Sequence, residues 1–225
     1  MVAKSIPNRP QVKICGLTRA DEAMACAELG VDAIGCVFYP PSPRYVTDQQ
    51  ARSVFRSLPD RVCRVGVFAN EPFSEIIQRV ERCSLGAVQL HGQESPELVD
   101  ELVKTGITVI KAIFVNGTPS LELMDSFAAS AYLVECAGGP LPGGNALAWN
   151  WSVAAGVSHE KPLILAGGLH PDNILRAIGE ALPDAVDVSS GVESSPGRKD
   201  LDKVKRLLEA IAQTAIPKIP RSIFR

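Results

Sequence analysis

Strand-like and helix-like runs alternate along almost the whole of this chain, and that alternation restricts the available folds more than any other feature. Eight short β-favouring runs fall at 12–16, 33–38, 64–68, 87–90, 108–113, 131–136, 162–166 and 185–188. Between most of them, at 21–29, 48–58, 72–83, 96–105, 120–128, 172–181 and 200–212, apolar residues recur three and four apart, the period of a helix with one buried face. A weaker helical stretch covers 149–157. The strand runs are continuously apolar rather than alternating, as expected where both faces of a parallel sheet are covered. Eight such units with no linker or composition break predict a single-domain (β/α)₈ barrel over 11–213, with tails at 1–10 and 214–225. An open doubly wound sheet is the competitor, but it commonly carries G-x-G-x-x-G after its first strand, and ICGLTRADE has one glycine.

Composition narrows the partners. The chain has 225 residues, 46% hydrophobic and 21% charged, with a formal charge of −2, so no clustered basic face points to nucleic acid. The tail IPKIPRSIFR carries Lys218, Arg221 and Arg225 but is short and proline-broken, which predicts a solvated end. No apolar run reaches the roughly 18 residues of a membrane span, and the first ten residues lack the apolar core of a signal peptide. Six cysteines, at 15, 26, 36, 63, 83 and 136, show no CxxC or CxxH spacing. That argues against a disulfide framework or a zinc site and predicts a reducing, cytoplasmic setting.

In a barrel, chemistry collects at the carboxyl ends of the strands. Cys15 ends the first strand in VKICGLT, where Gly16 stops the run and Thr18 is a candidate N-cap for the next helix. As a thiol it is either a small buried hydrophobe or a base, and a base requires a lowered pKa. Glu135 ends strand six and is a candidate acid, a role that needs a carboxyl able to keep its proton, as partial desolvation allows. Arg44, in the proline-stiffened loop YPPSPRY, could clamp a carboxylate bidentately. His91 follows strand four as a hydrogen-bonded structural group or a ligand contact. Asp187, at the end of strand eight, could orient a substrate hydroxyl or brace the following loop. Trp149 and Trp151 fit the core better than a pocket for an aromatic ring. The most pointed signal is a pair of glycine-rich turns, AGGLHPDN and DVSSGVESSPGRKD, after strands seven and eight. Bare backbone N–H groups at Gly167, Gly168, Ser190 and Gly191 suit phosphate there.

In order along the chain, VKICGLT, GCVFYPPSPRYV, RVGVFAN, AVQLHGQE, IKAI, LILAGGLHPDN and VDVSSGVESSPGRKD resemble the phosphoribosylanthranilate isomerase family from Val12 to about Leu208. The resemblance implies a cofactor-free barrel that carries out an Amadori rearrangement, aminoaldose phosphate to aminoketose phosphate, in tryptophan biosynthesis. It implies that Cys15 takes the proton from the sugar C2′, that Arg44 contacts the anthranilate carboxylate, and that the Gly167–Gly168 and Ser190–Gly191 loops hold the phosphate. Glu135 stands where the family has its general-acid aspartate. Asn145, Ala146 and Leu147 replace the family's threonine/serine, glycine and lysine, and Trp149 and Asn150 replace its phenylalanine and aspartate. Two other readings fit the same residues: an isomerase of a different phosphosugar, and a non-catalytic phosphosugar binder, against which the retained Cys15 speaks. A monomer and a homodimer are both compatible with the sequence.

Overall fold

The computed structural model describes residues 8–137, 148–157 and 160–224, and in it eight parallel strands close into a barrel in sequence order. They are β1 (Gln11–Cys15), β2 (Ala33–Val37), β3 (Cys63–Phe68), β4 (Ala87–Leu90), β5 (Thr108–Phe114), β6 (Ala131–Glu135), β7 (Leu163–Leu165) and β8 (Ala185–Val188). Closure is made by β1 against β8, with Val12 opposite Val186 and Lys13 opposite Asp187. The outer layer consists of α1 (Ala20–Leu29), α2 (Asp48–Arg56), α3 (Phe73–Cys83), α4 (Pro96–Lys104), α5 (Ser152–Ala155), α6 (Ile174–Ala181) and α7 (Leu201–Ala212). A two-stranded hairpin, β9 (Glu193–Ser195) with β10 (Arg198–Lys199), follows β8.

Because strand side chains alternate, each strand feeds two cores. Ile14, Ile34, Val88, Leu90, Val134 and Val186 pack outward beneath the helices. Ala33, Val65, Ala87, Ile110, Leu133, Ile164 and Ala185 fill the interior. The inward set is not wholly apolar, since Lys13 and Lys111 are fully buried in it. Helix starts follow local chemistry. Thr47 and Gln50 make a reciprocal capping box on α2, and Ser95 caps α4 with Pro96 as its first residue. Thr18 is not the cap of α1. Arg19 occupies that position, and the Thr18 hydroxyl instead donates to the Gly197 carbonyl across the barrel mouth (2.8 Å).

The stretch after β5 departs from the expected helix. A 3-10 helix runs over Leu121–Ser126, held between the Phe114–Ser120 bridge and the Tyr132 hydroxyl on the Phe127 carbonyl. A 3-10 turn rises about 2 Å per residue, so a few residues suffice to return the chain towards β6. The helix after β6 is also shorter than the 149–157 pattern, only Ser152–Ala155.

The C-terminal segment is not a solvated end. Ile223 and Phe224 are buried against Ala33, Ala87, Ala131 and Ala185, the small residues that begin the strands, and plug the base of the barrel. Gln11 fixes them, its Oε1 accepting from the Ile223 and Phe224 amides and its Nε2 donating to the Phe224 carbonyl. Asp184, fully buried, accepts from the Leu163 and Arg221 amides, from the Arg221 guanidinium (2.7 Å) and from Lys218 (3.1 Å). Burial alone would raise the Asp184 pKa, but these donors outweigh it and hold the carboxyl below its ordinary value. A depressed folded-state pKa contributes stability that is present above the unfolded value and lost as pH falls. Asp184→Asn is therefore expected to cost about 1–3 kcal/mol near neutral pH, with the difference in Tm from the unmodified protein shrinking as pH drops below about 4. A pH-independent difference in thermal melts would contradict this.

Candidate active site

The strand ends and the loops that follow them surround one pocket at the carboxyl face. Cys15 comes from β1, Arg44 from the loop after β2, Gln89 and His91 from β4 and its end, and Glu135 from β6. Gly167 and Gly168 follow β7, and Asp187, Ser189 and Ser190 belong to β8 and its loop. Val37, Tyr39 and Phe68 supply an apolar wall. The pocket holds about 840 Å³ of empty space, counting the part open to solvent. Of the catalytic and substrate-binding candidates named from the sequence, all but Gly191 line it, whereas Trp149 and Trp151 do not.

Cys15 is buried, at 8% exposure, and a charged pair lies beside it. Lys13, two residues earlier and so on the same side of β1, bonds the Asp187 carboxylate at 2.8 Å, and its ammonium lies beside the thiol. Burial pushes the Cys15 pKa up and Asp187 adds to the rise; the Lys13 ammonium offsets only part of it. The lowered thiol pKa expected of a base is thus not found at Cys15, because burial outweighs the attraction of one lysine already shared with a carboxylate. Asp187 keeps its second oxygen, Oδ1, buried without a hydrogen-bond partner among the described residues.

Glu135 lies two strands beyond β8 in the barrel order, separated from β1 by β7 and β8. Its Oε1 bonds His91 Nε2 at 2.8 Å, and His91 Nδ1 bonds Gln89 Nε2 at 2.9 Å. All three are buried. His91 stands edge-on to Phe114, and its amide donates to the Phe68 carbonyl, so both ring and backbone are fixed. His91 is accordingly a hydrogen-bonded group and a pocket residue at once. Below it, Lys111 bonds the Leu90 and Gly92 carbonyls and Glu94, while Glu94 accepts from the Gly92 and Asn70 amides. That network ties the ends of β3, β4 and β5 together.

Arg44 is not free to clamp an incoming carboxylate with both arms. Its Nε and Nη2 already fork onto Glu193 at 2.9 and 2.7 Å, and Lys199 bonds the same carboxylate at 2.7 Å. Nη1 is the arm with no hydrogen bond to a described residue. Sequence reasoning could not pair two residues 149 positions apart. Lys13 was also missed as a site residue, and Gln89, though at the end of strand four, was given no role. The signal was available, since a charged or amide side chain within an otherwise apolar barrel strand needs a reason to be there.

The two glycine turns behave differently. Gly167 and Gly168 have φ of +85° and +67°, conformations open to glycine. A side chain on Gly167 would also lie 2.9 Å from the Trp149 indole nitrogen, which donates to the Ala166 carbonyl. Trp151 is fully buried in the core. Gly191 stands behind the pocket. A Cβ there would come within 1.9 Å of the Leu169 carbonyl oxygen, so its lack of a side chain is what lets the loops after β7 and β8 meet. Asn145, Ala146 and Leu147 lie outside the described residues, as does Arg225.

With this geometry established, comparison with known proteins is informative. A sequence profile described as N-(5'phosphoribosyl)anthranilate (PRA) isomerase matches residues 12–210. The N-(5'-phosphoribosyl)anthranilate isomerase of Desulfatibacillum aliphaticivorans is 55% identical over 214 residues, covering 95% of this chain and 98% of its own. The crystal structure of phosphoribosyl anthranilate isomerase from Thermotoga maritima is 38% identical, covers 90% of this chain and 98% of its own, and superposes with a TM-score of 0.81. A further crystal structure of such an enzyme, complexed with reduced 1-(o-carboxyphenylamino)-1-deoxyribulose 5-phosphate, is 37% identical with the same coverage and a TM-score of 0.77. Fold, pocket and sequence agree, and this chain belongs to the N-(5'-phosphoribosyl)anthranilate isomerase family.

Proposed function

We propose that this protein isomerises N-(5'-phosphoribosyl)anthranilate to 1-(o-carboxyphenylamino)-1-deoxyribulose 5-phosphate, with Cys15 as general base and Glu135 as general acid. The observation that carries the assignment of roles is the presence of a buried thiol and a buried carboxyl in one pocket, on strands three steps apart, beside two glycine turns. Glu135 gives its proton to the furanose ring oxygen. The C1′–O bond breaks, and the anilino nitrogen supplies the electron pair that makes C1′=N⁺. The Cys15 thiolate then takes the proton from C2′, and the C2′–H electrons form C1′=C2′ while the C=N⁺ pair returns to nitrogen. Moving the enol proton to C1′ completes the aminoketose.

The surroundings support these roles. Lys13 is the counter-charge for a thiolate in a site that burial otherwise makes unfavourable to one. The Gly167–Gly168 turn and the Ser190 turn offer backbone amides to the phosphate, with Gly191 holding the two loops together. Arg44 presents Nη1 and its charge to the anthranilate carboxylate while Glu193 holds the rest of its fork still. Among the described residues no helix is long and apolar enough to cross a membrane.

A steady-state assay of the purified chain with N-(5'-phosphoribosyl)anthranilate tests the proposal. Turnover to the aminoketose phosphate is expected. Tight binding of the reduced product analogue without turnover would instead identify a binder that kept the phosphate loops.

A further inference from the structure

Gln89 is a buried amide that the mechanism above does not use, and its hydrogen bonds are half complete. Its Nε2 bonds His91 Nδ1 at 2.9 Å, whereas its Oε1 is buried with no hydrogen-bond partner among the described residues. The residue is 1% exposed and still lines the pocket.

The proton positions follow from donor and acceptor bookkeeping. An amide N–H facing Nδ1 requires a lone pair there, so the single proton of a neutral imidazole sits on Nε2. Nε2–H then donates to Glu135 Oε1 at 2.8 Å. With Oε1 filled by a donor, a proton held by Glu135 is confined to Oε2, and Oε2 takes no hydrogen bond from a described residue. Turning the amide by half a rotation reverses each step. Its oxygen would demand a proton on Nδ1, Nε2 would become an acceptor, and the acid proton would be drawn to Oε1, against His91.

We infer that Gln89 is a positioning residue that fixes the tautomer of His91, holds the acid proton on Oε2 of Glu135, the oxygen not bonded to His91, and is itself locked by a sugar hydroxyl donating to its Oε1. Ligand arrival and correct placement of the proton are thereby the same event. The buried acceptor is the subsite, and a hydroxyl is the ligand group that completes it, since a hydroxyl can donate to the amide oxygen. The inference rests on the acid role of Glu135.

Two measurements test it. Long-range ¹H–¹⁵N correlation on the unmodified protein reads the ring nitrogens of His91 directly, and three histidines in the chain keep assignment simple. The Nε2–H tautomer is expected, with the Gln89 amide signals shifting when the reduced product analogue is added. An Nδ1–H or doubly protonated ring, or amide signals indifferent to the analogue, would overturn the inference. Gln89→Leu, which keeps the volume and removes both amide functions, is expected to lower kcat about tenfold or more with KM changed far less, and to lose the single tautomer. Unchanged kcat would also overturn it. The spectrum needs no variant and no turnover, so an Nε2–H ring in a protein inactive on the proposed substrate would sink the isomerase reading and leave the tautomer lock standing.

Discussion

Replacing Cys15 with alanine is expected to lower kcat/KM for N-(5'-phosphoribosyl)anthranilate by about 10³-fold, with KM little altered. General-base groups contribute about 10²–10⁴ to such rates. Among the described residues Cys15 is the only thiol lining the pocket, so no neighbouring sulfur there can replace it. The loss should appear in kcat because the phosphate and carboxylate contacts of the substrate lie on other loops. Serine keeps the size but not the acidity, so Cys15→Ser should be nearly as impaired. A Cys15→Ala enzyme within tenfold of the unmodified one would mean that another group removes the C2′ proton.

The second large effect concerns the carboxyl. Glu135→Gln keeps the shape and the hydrogen bond to His91 while removing the transferable proton, and a loss of about 10²–10⁴ in kcat is expected. The residual activity carries a further signature. With the acid gone, activity follows the thiolate fraction of Cys15, and burial holds that thiol above its ordinary value. Residual kcat/KM should therefore climb as pH rises through neutrality, by up to about tenfold per unit. A flat profile in this variant would separate the rate from the thiol.

Glu135→Asp asks whether the longer acid is an adaptation. The pocket is fitted to the glutamate, whose Oε1 reaches His91 at 2.8 Å while its Cβ lies beside Gly167. Shortening the stem by a methylene withdraws the carboxyl by about 1 Å, which can cost about 10²-fold. A gain in kcat would instead mark Glu135 as an impaired substitute for aspartate.

Much of this was legible before any coordinates. The βα alternation led to the barrel because short, continuously apolar runs stand apart from stretches whose apolar residues recur three and four apart, and a closed parallel sheet is a common way to cover eight buried strands. Cys15, Glu135, His91 and Asp187 were legible because strand ends in a barrel converge on one face. Pairings between distant residues were not. Arg44 meets Glu193, Gln11 meets Phe224 and Asp184 meets Arg221 only after the ring closes. The tail was misread for the same reason: Ile223 and Phe224 look like exposed ends until the alanines at 33, 87, 131 and 185 are seen to leave the barrel base hollow. The raised thiol was hidden because its burial depends on the whole pocket, whereas Lys13 could be placed beside it from the strand period alone.

The central claim is that a thiol and a carboxyl act on the same sugar from opposite sides, and a crystal structure of this protein with reduced 1-(o-carboxyphenylamino)-1-deoxyribulose 5-phosphate tests it most directly. The account predicts Cys15 Sγ within about 3.5 Å of C2′ and Glu135 Oε2 within about 3.5 Å of the oxygen that closes the furanose, with the phosphate at the Gly167–Gly168 and Ser190 turns. A ligand seated with its phosphate elsewhere, or with the carboxyl out of reach of that oxygen, would contradict it.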